Sequence, residues 1–289
     1  MKYRLSKEVM TNDAMRAAYN ELTVKTFGFS FEQWYQQKYW TNSNIPYTLF
    51  DGDKAISNIS INRMEVLWDG IKRNYIQIGT VMTDEAYRNQ GLSRYLMEEV
   101  MKDWESQCDA MFLFANQSVL EFYPKFGFIK EMQYHYSTDI QRGLESARKL
   151  NIDSTQDLEL LKKYYEKQNP FSKVQAIHNF GLFMFYCSWI MKDNIYYSEQ
   201  YDTIIIAEED GDSLNCYDIY CDQGLDLLDI LSTVATVKTK KVNIKFTPVD
   251  SSGFVVALAD DLNDTLFVLK GKENLFQQDK ILFPEISHT

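Results

Sequence analysis

Neither of the glycine-rich fingerprints that most often hold nucleotides occurs here: there is no Gly-x-Gly-x-x-Gly and no Gly-Lys-Ser/Thr. That sets aside a dinucleotide site and a P-loop. Cysteine is scarce: Cys108, Cys187, Cys216 and Cys221 include no Cys-x-x-Cys, and there is no histidine pair at ligand spacing. They read as structural thiols, and no metal site is expected. The most apolar run, residues 181–191, is too short for a membrane span of about 20 residues and reads as a buried element. Residues 1–10 carry charges throughout, unlike a signal peptide. Reduced cysteines without a targeting signal point to the cytoplasm. Basic residues are outnumbered 41 to 30, for a net charge of −11, and form no basic stripe. Nucleic acid is therefore not an expected partner, and cationic ligands are favoured over polyanions.

With 45% hydrophobic and 25% charged residues, the 289-residue chain has the composition of a globular protein with a large core, in one large domain or two smaller ones. Its most informative stretch is Tyr87-Arg88-Asn89-Gln90-Gly91-Leu92-Ser93-Arg94, which follows a β-like run and opens an amphipathic helical run. The first turn of a helix has unpaired N–H groups and the positive end of the helix dipole. A loop curling there is suited to a pyrophosphate. Gly91 lets the backbone approach the anion, and Arg88 and Arg94 supply local positive charge.

The spacing Arg88-x-x-Gly91-x-Ser93 resembles the pyrophosphate loop of the GNAT superfamily of acetyl-CoA-dependent N-acetyltransferases, with Ser93 in place of the usual small final residue. A second segment, from Asn116 through Tyr123 to Gly127-Phe128, is similar to that superfamily's Asn and Tyr-x-x-x-Gly-Phe element. The resemblance covers roughly residues 1–140 and implies acetyl-CoA as co-substrate. It also implies that Val81, Met82 and Thr83 run along the pantetheine arm, that Arg88, Asn89, Gln90, Gly91, Leu92, Ser93 and Arg94 cradle the pyrophosphate, and that Asn116 and Tyr123 meet the pantetheine and thioester.

Along the chain, an entry strand at residues 3–9 precedes a helix capped by Thr11-Asn12-Asp13 and an aromatic-rich helical piece at 29–40. Asp51-Gly52-Asp53 and Asp69-Gly70 are hairpin signals within a meander that ends in a strand at 75–82. Leu92, Tyr95, Leu96, Val100 and Trp104 share one face of the next helix. The apolar run 110–115 reads as a strand covered on both faces, and residues 128–138 as a returning strand. The expected class is α/β with a mixed sheet: a GNAT domain at 1–140, then a degenerate GNAT-like domain at 141–289 with its own meander, glycine turn and helix. The turn Tyr220-Cys221-Asp222-Gln223-Gly224-Leu225-Asp226 lacks an entrance arginine and brackets its glycine with carboxylates, so no second CoA site is expected. Packing, wall-building or homo-oligomer contacts are the roles left to this half: the apolar run 181–191 and the closing segment 281–284 are greasy enough to pack against another domain, and the tail could cross back to the first half near the acceptor pocket.

Tyr123 is the candidate acid, since a phenol with an ordinary pKa near 10 stays protonated and can donate to a departing thiolate. Packing beside Phe122, Phe126 and Phe128 is the alternative. For Asn116 the alternative is a cap before Ser118. The strand at 75–82 has no carboxylate where many GNAT enzymes keep a base, and a water chain could replace it. Glu85 reads as a solvated loop residue and His135 as a surface one. The segment 91–97 is similar to the enhanced intracellular survival branch, which has tandem GNAT regions, a third domain, and a terminal carboxylate as base. This chain is too short for the third domain, and the carboxylate role is not carried over. Phe27, Phe29, Phe31, Trp34, Tyr35, Tyr39 and Trp40, with Glu21 and Glu32, either form an acceptor pocket for a cationic amine or pack two helices. The expected function is acetyl transfer to a small-molecule or peptide amine. The alternative is a catalytically silent acyl-CoA sensor or scaffold.

Overall fold

The computed structural model describes residues 2–259 and 264–289. Strand β1 (Arg4–Ser6) leads into α1 (Asp13–Phe27), whose first turn is closed by the Asn12 side chain accepting from Met15 N and whose end is set by Gly28 at φ 81°. The aromatic segment gives only a short helix, α2 (Glu32–Gln36), because Lys38 turns to φ 63°. Phe31, Trp34 and Trp40 converge on Tyr19 of α1. Tertiary packing, not a helical face, uses these rings. Strands β2 (Asn44–Asp51), β3 (Lys54–Trp68) and β4 (Ile71–Thr83) form the expected meander, with positive φ at Gly52, Asp69 and Gly70 in its turns.

Helix α3 (Leu92–Trp104) buries Leu92, Leu96, Met97 and Val100 against Ile76, Ile78, Met111 and Leu113 of β4 and β5 (Ala110–Asn116). Full burial of each such side chain is worth about 1.5–3 kcal/mol, which fixes the helix on the sheet. Residues 128–138, expected as one strand, form two: β6 (Phe128–Lys130) and β7 (Tyr134–Asp139). They lie in different sheets. A period of two is common to both pieces and carries no information about which sheet each joins.

The remaining elements are β8 (Arg148–Lys149), α4 (Thr155–Tyr165), β9 (Val174–Ile177), α5 (Phe180–Phe185), β10 (Ile195–Ser198), β11 (Thr203–Asp210) and β12 (Ser213–Tyr220), then α6 (Leu227–Ser232), β13 (Lys241–Ile244), β14 (Val255–Leu258) and β15 (Asp264–Leu269). The first sheet runs β1-β2-β3-β4-β5-β15-β6, with β9 also on β3, and the second runs β14-β7-β13-β12-β11-β10-β8. Each holds an antiparallel meander, then a parallel pair, then two antiparallel strands. The second repeats the first. The exchange is reciprocal: β7 sits beside β13 as β15 sits beside β5. The expected segments 1–140 and 141–289 thus trade strands. The apolar run 181–191 docks on the first half, where Gly181 lies so close to Tyr39 that an added Cβ would stand 2.2 Å from the Tyr39 carbonyl oxygen.

Candidate active site

Strands β4 and β5 are paired in parallel only from Tyr75–Ala110 to Ile78–Leu113. Beyond that point the register ends and a wedge opens. There β4 also slips against β3, so that Gly79 faces Ser60 and Met82 faces Asn58, leaving Thr80 and Val81 without Cα partners. Thr80 sits at φ 49°, a conformation costing a β-branched residue roughly 1–2 kcal/mol. Asn58 holds it: its amide donates to the Thr80 carbonyl at 2.9 Å and to Ser60 Oγ at 3.0 Å, and its oxygen accepts from Thr48 Oγ1 at 2.7 Å. A bulge of this kind re-aims backbone groups, here at the head of the wedge. The glycine inside the strand pattern was the only sequence signal for it.

The Arg88–Arg94 stretch forms the turn into α3, with Asn89 at φ 62° and Gly91 at φ 76°. Nothing stands within 4 Å of where a Gly91 Cβ would be, so the turn opens to solvent. A cavity of about 390 Å³ is lined by Val81 and Thr83 of β4, by Arg88, Asn89, Gly91, Leu92, Ser93 and Arg94, and by Tyr123 and Lys125 across it. Lys125 is a cation that the motif did not single out. Met82 is instead buried under α1, and Gln90 turns its side chain to accept from the Tyr3 hydroxyl. Arg88 rests on Glu85 at 3.6 Å, a solvent-exposed pair worth at most about 1 kcal/mol, so an anion can readily claim it.

Two devices pin this turn to the sheet. Ser57, Thr83 and Ser93 form a hydroxyl chain with links of 2.8 and 2.9 Å, so the Thr83 side chain ties the strand to the loop. Asp84 is the other. Its side chain is 1% exposed and is held by Lys25 at 3.0 Å, Lys54 at 2.9 Å and the Ala86 N–H at 3.0 Å. The Lys54 contact, aided by the Ala86 N–H and Lys25, draws its pKa down to about 2. Neither device is visible in a motif, because the partners come from three separate segments.

Tyr123 is 3% exposed, with its ring at the edges of Phe122 and Phe128, and burial pushes its pKa up to about 12. The phenol is a protonated donor on the cavity wall. Asn116, at the end of β5, accepts from Ser118 N at 3.0 Å and from Ser118 Oγ at 2.5 Å, the geometry of a cap. His135 lies on β7 opposite Ala257, in the second sheet. Glu32 is engaged by Arg16 at 3.1 Å and Asn20 at 3.0 Å, and the nearby rings form a packed cluster.

The opposite face of β4 meets the last described residues. Asn62 Nδ2 donates to Thr289 Oγ1 at 2.7 Å, and a Cβ on Gly79 would stand 2.6 Å from the Thr289 carbonyl oxygen. The Gln77 amide donates to the Ser287 carbonyl at 3.1 Å and accepts from Thr289 N at 3.0 Å. His288 stacks on Phe114 with centroids 3.8 Å apart, and burial lowers its pKa to about 4, so the ring is neutral. The tail reaches this point because Ile281, Leu282 and Phe283 are fully buried between the sheets. The apolar closing segment 281–284 was the sequence signal for this return, whereas its contacts with Gln77 and Gly79 had none. Among the described residues no group of three or more His, Cys, Asp or Glu side chains could hold a metal, and no helix is long and apolar enough to cross a membrane.

Known structures share this arrangement. A conserved Enterococcus faecalis protein described as a probable N-acyltransferase aligns at 12% identity and a TM-score of 0.60, over 92% of this chain and 71% of its own. A GCN5-related N-acetyltransferase from Kribbella flavida aligns at 15% identity and a TM-score of 0.56, over 92% and 70%. Eis1 from Mycobacterium abscessus aligns at 11% identity and a TM-score of 0.55, over 88% and 70%. At such identities the likeness is one of fold, and it extends across both sheets. No curated protein matches the sequence. Residues 8–130 match the acetyltransferase (GNAT) domain family, and that segment is accordingly a GNAT acetyltransferase domain.

Proposed function

We propose that the protein transfers the acetyl group of acetyl-CoA to a primary amine by direct attack. The observation carrying this reading is the cavity of about 390 Å³ that joins the turn before α3 to β4 and Tyr123. The turn offers free N–H groups and Arg88, Arg94 and Lys125 to a pyrophosphate, and Val81 and Thr83 line the way to the bulge. The acetyl carbon then lies at the head of the wedge, and the amine arrives from the face of Gly79. Its nitrogen bonds to the thioester carbon, the C–S bond breaks, and the thiolate takes the Tyr123 proton. The side chains of Asn58, Ser60, Asn62 and Gln77 around Gly79 are neutral, so the amine sheds its proton to water, and water returns one to the Tyr123 phenolate. Thiol release from acetyl-CoA over a panel of polyamines, aminoglycosides, amino acids and peptide N-termini tests the reading. Turnover on at least one amine is expected; tight CoA binding with no turnover on any would replace transfer by acyl-CoA sensing.

A further inference from the structure

A second cavity lies away from the CoA side, lined by β9 of the first sheet and β12 of the second. It offers about 40 Å³ of space to water-sized groups, and its walls include Tyr165 of α4, Asn169, Gln175 of β9, Asp218 and Tyr220 of β12, and Ser287 of the tail. One water needs about 10–15 Å³ of such space, so an ammonium head and its first methylene fit. Glu166 and His178, both exposed, stand at its outer end.

Asp218 is the unusual member. One carboxylate oxygen accepts from Asn169 Nδ2 at 2.6 Å and from its neighbour Ile219 N at 3.0 Å, and the other accepts from the Tyr220 hydroxyl at 2.6 Å. Every donor is neutral. Among the described residues no lysine, arginine or histidine pairs with it, whereas Asp84, Asp157 and Asp202 each have a cation. Two oxygens offer about four acceptor positions, and three are used. Asn169 Oδ1 and Gln175 Oε1 each take one backbone N–H, at 2.9 and 3.1 Å, and keep a second lone pair. Burial pushes Asp218 up to about 6, the strain of a carboxylate lacking a counter-charge.

We propose that this cavity is a subsite for a primary ammonium group, carried by the acceptor as a second nitrogen remote from the one acetylated. The carboxylate supplies the charge and the amide oxygens the remaining acceptors. A divalent metal is disfavoured, because one carboxylate among neutral groups is a weak ligand set for it. The cavity adjoins the acceptor face through Ser287, which lines it while its carbonyl takes the Gln77 amide and Thr289 reaches Gly79. The link to the acceptor rests on the acetyl-transfer reading; the ammonium site itself does not.

The test is calorimetry on the full chain saturated with CoA, titrated with 1,4-diaminobutane and with n-butylamine. The diamine is expected to bind at least tenfold tighter than the monoamine, and Asp218→Asn to abolish that difference while CoA and n-butylamine affinities stay unchanged. Equal affinity for the two amines in the wild type, or an undiminished preference in Asp218→Asn, overturns the proposal. If Asp218→Asn fails to fold, Tyr220→Phe serves: it keeps the charge, removes one neutral donor and should retain the preference, and its loss there would count against the carboxylate as the attractor. A diamine preference without thiol release from acetyl-CoA defeats acetyl transfer and leaves the subsite standing. Turnover with no preference does the reverse.

Discussion

Tyr123 and Asp84 act through opposite shifts from their ordinary pKa values. Burial favours the neutral phenol, so Tyr123 remains a proton donor until the pH approaches about 12. Tyr123→Phe removes that proton and almost no surface; turnover is expected to fall by about 10²–10⁴-fold with CoA affinity nearly intact. Unchanged turnover in steady-state assays would return Tyr123 to the aromatic core. Asp84 is stabilised as the anion by Lys54 and Lys25, and its folded pKa of about 2 lies below the ordinary carboxylate value. Its contribution is therefore complete above pH about 4 and is lost as pH falls through about 2. Asp84→Asn should cost roughly 1.5–3 kcal/mol in denaturant titrations near neutral pH and flatten the acid dependence in that window. An acid profile identical to that of the wild type would show that Asp84 does not anchor the turn.

At the level of elements, two glycines mark where backbone must approach something else. Gly91 adopts φ 76° at the start of α3, with open space where its Cβ would be. Gly91→Glu adds strain of about 1–2 kcal/mol and, more importantly, a like charge against the pyrophosphate. Calorimetry should register loss of CoA binding with the fold intact, and wild-type affinity would mean the cofactor lies elsewhere. Gly79 is tight for a different reason, since the Thr289 carbonyl fills the place of its Cβ at 2.6 Å. Gly79→Ala should push residues 287–289 off β4, lowering turnover at least tenfold while CoA affinity holds. A variant with wild-type turnover would show that the tail has no part in forming the acceptor face.

Over the whole molecule, the two sheets repeat one topology but not one site. In the second half the turn after β12 leads to the short helix α6, where the Asp226 side chain already takes the Leu228 and Asp229 N–H groups at 2.8 and 3.0 Å. Asp222 beside it pairs with Lys167 at 2.9 Å. Donors that a pyrophosphate would need are occupied, and the added charge has the wrong sign. Titration with a non-hydrolysable acetyl-CoA analogue should therefore give one site per chain. Two sites of similar affinity, or half the binding surviving in Gly91→Glu, would contradict this. The second half contributes β15 to the first sheet, the docked run at 181–191 and the tail on Gly79.

The meander, the α3 face and the glycine turn into α3 were legible in the sequence because each depends on a short-range pattern. Hairpin glycines, a 3.6-residue apolar stripe on Leu92, Leu96 and Val100, and the spacing of Arg88 and Gly91 all lie within one or two elements. The cap before Ser118 was legible for the same reason. Strand exchange was not, since β7 and β15 satisfy the same alternation in either sheet and only the closing of both cores selects their places. The support of the site was hidden likewise. Asp84 with Lys25 and Lys54, Asn58 on Thr80, Thr289 on Gly79 and the cavity at Asp218 join residues distant along the chain, and such contacts exist only once the sheets are packed.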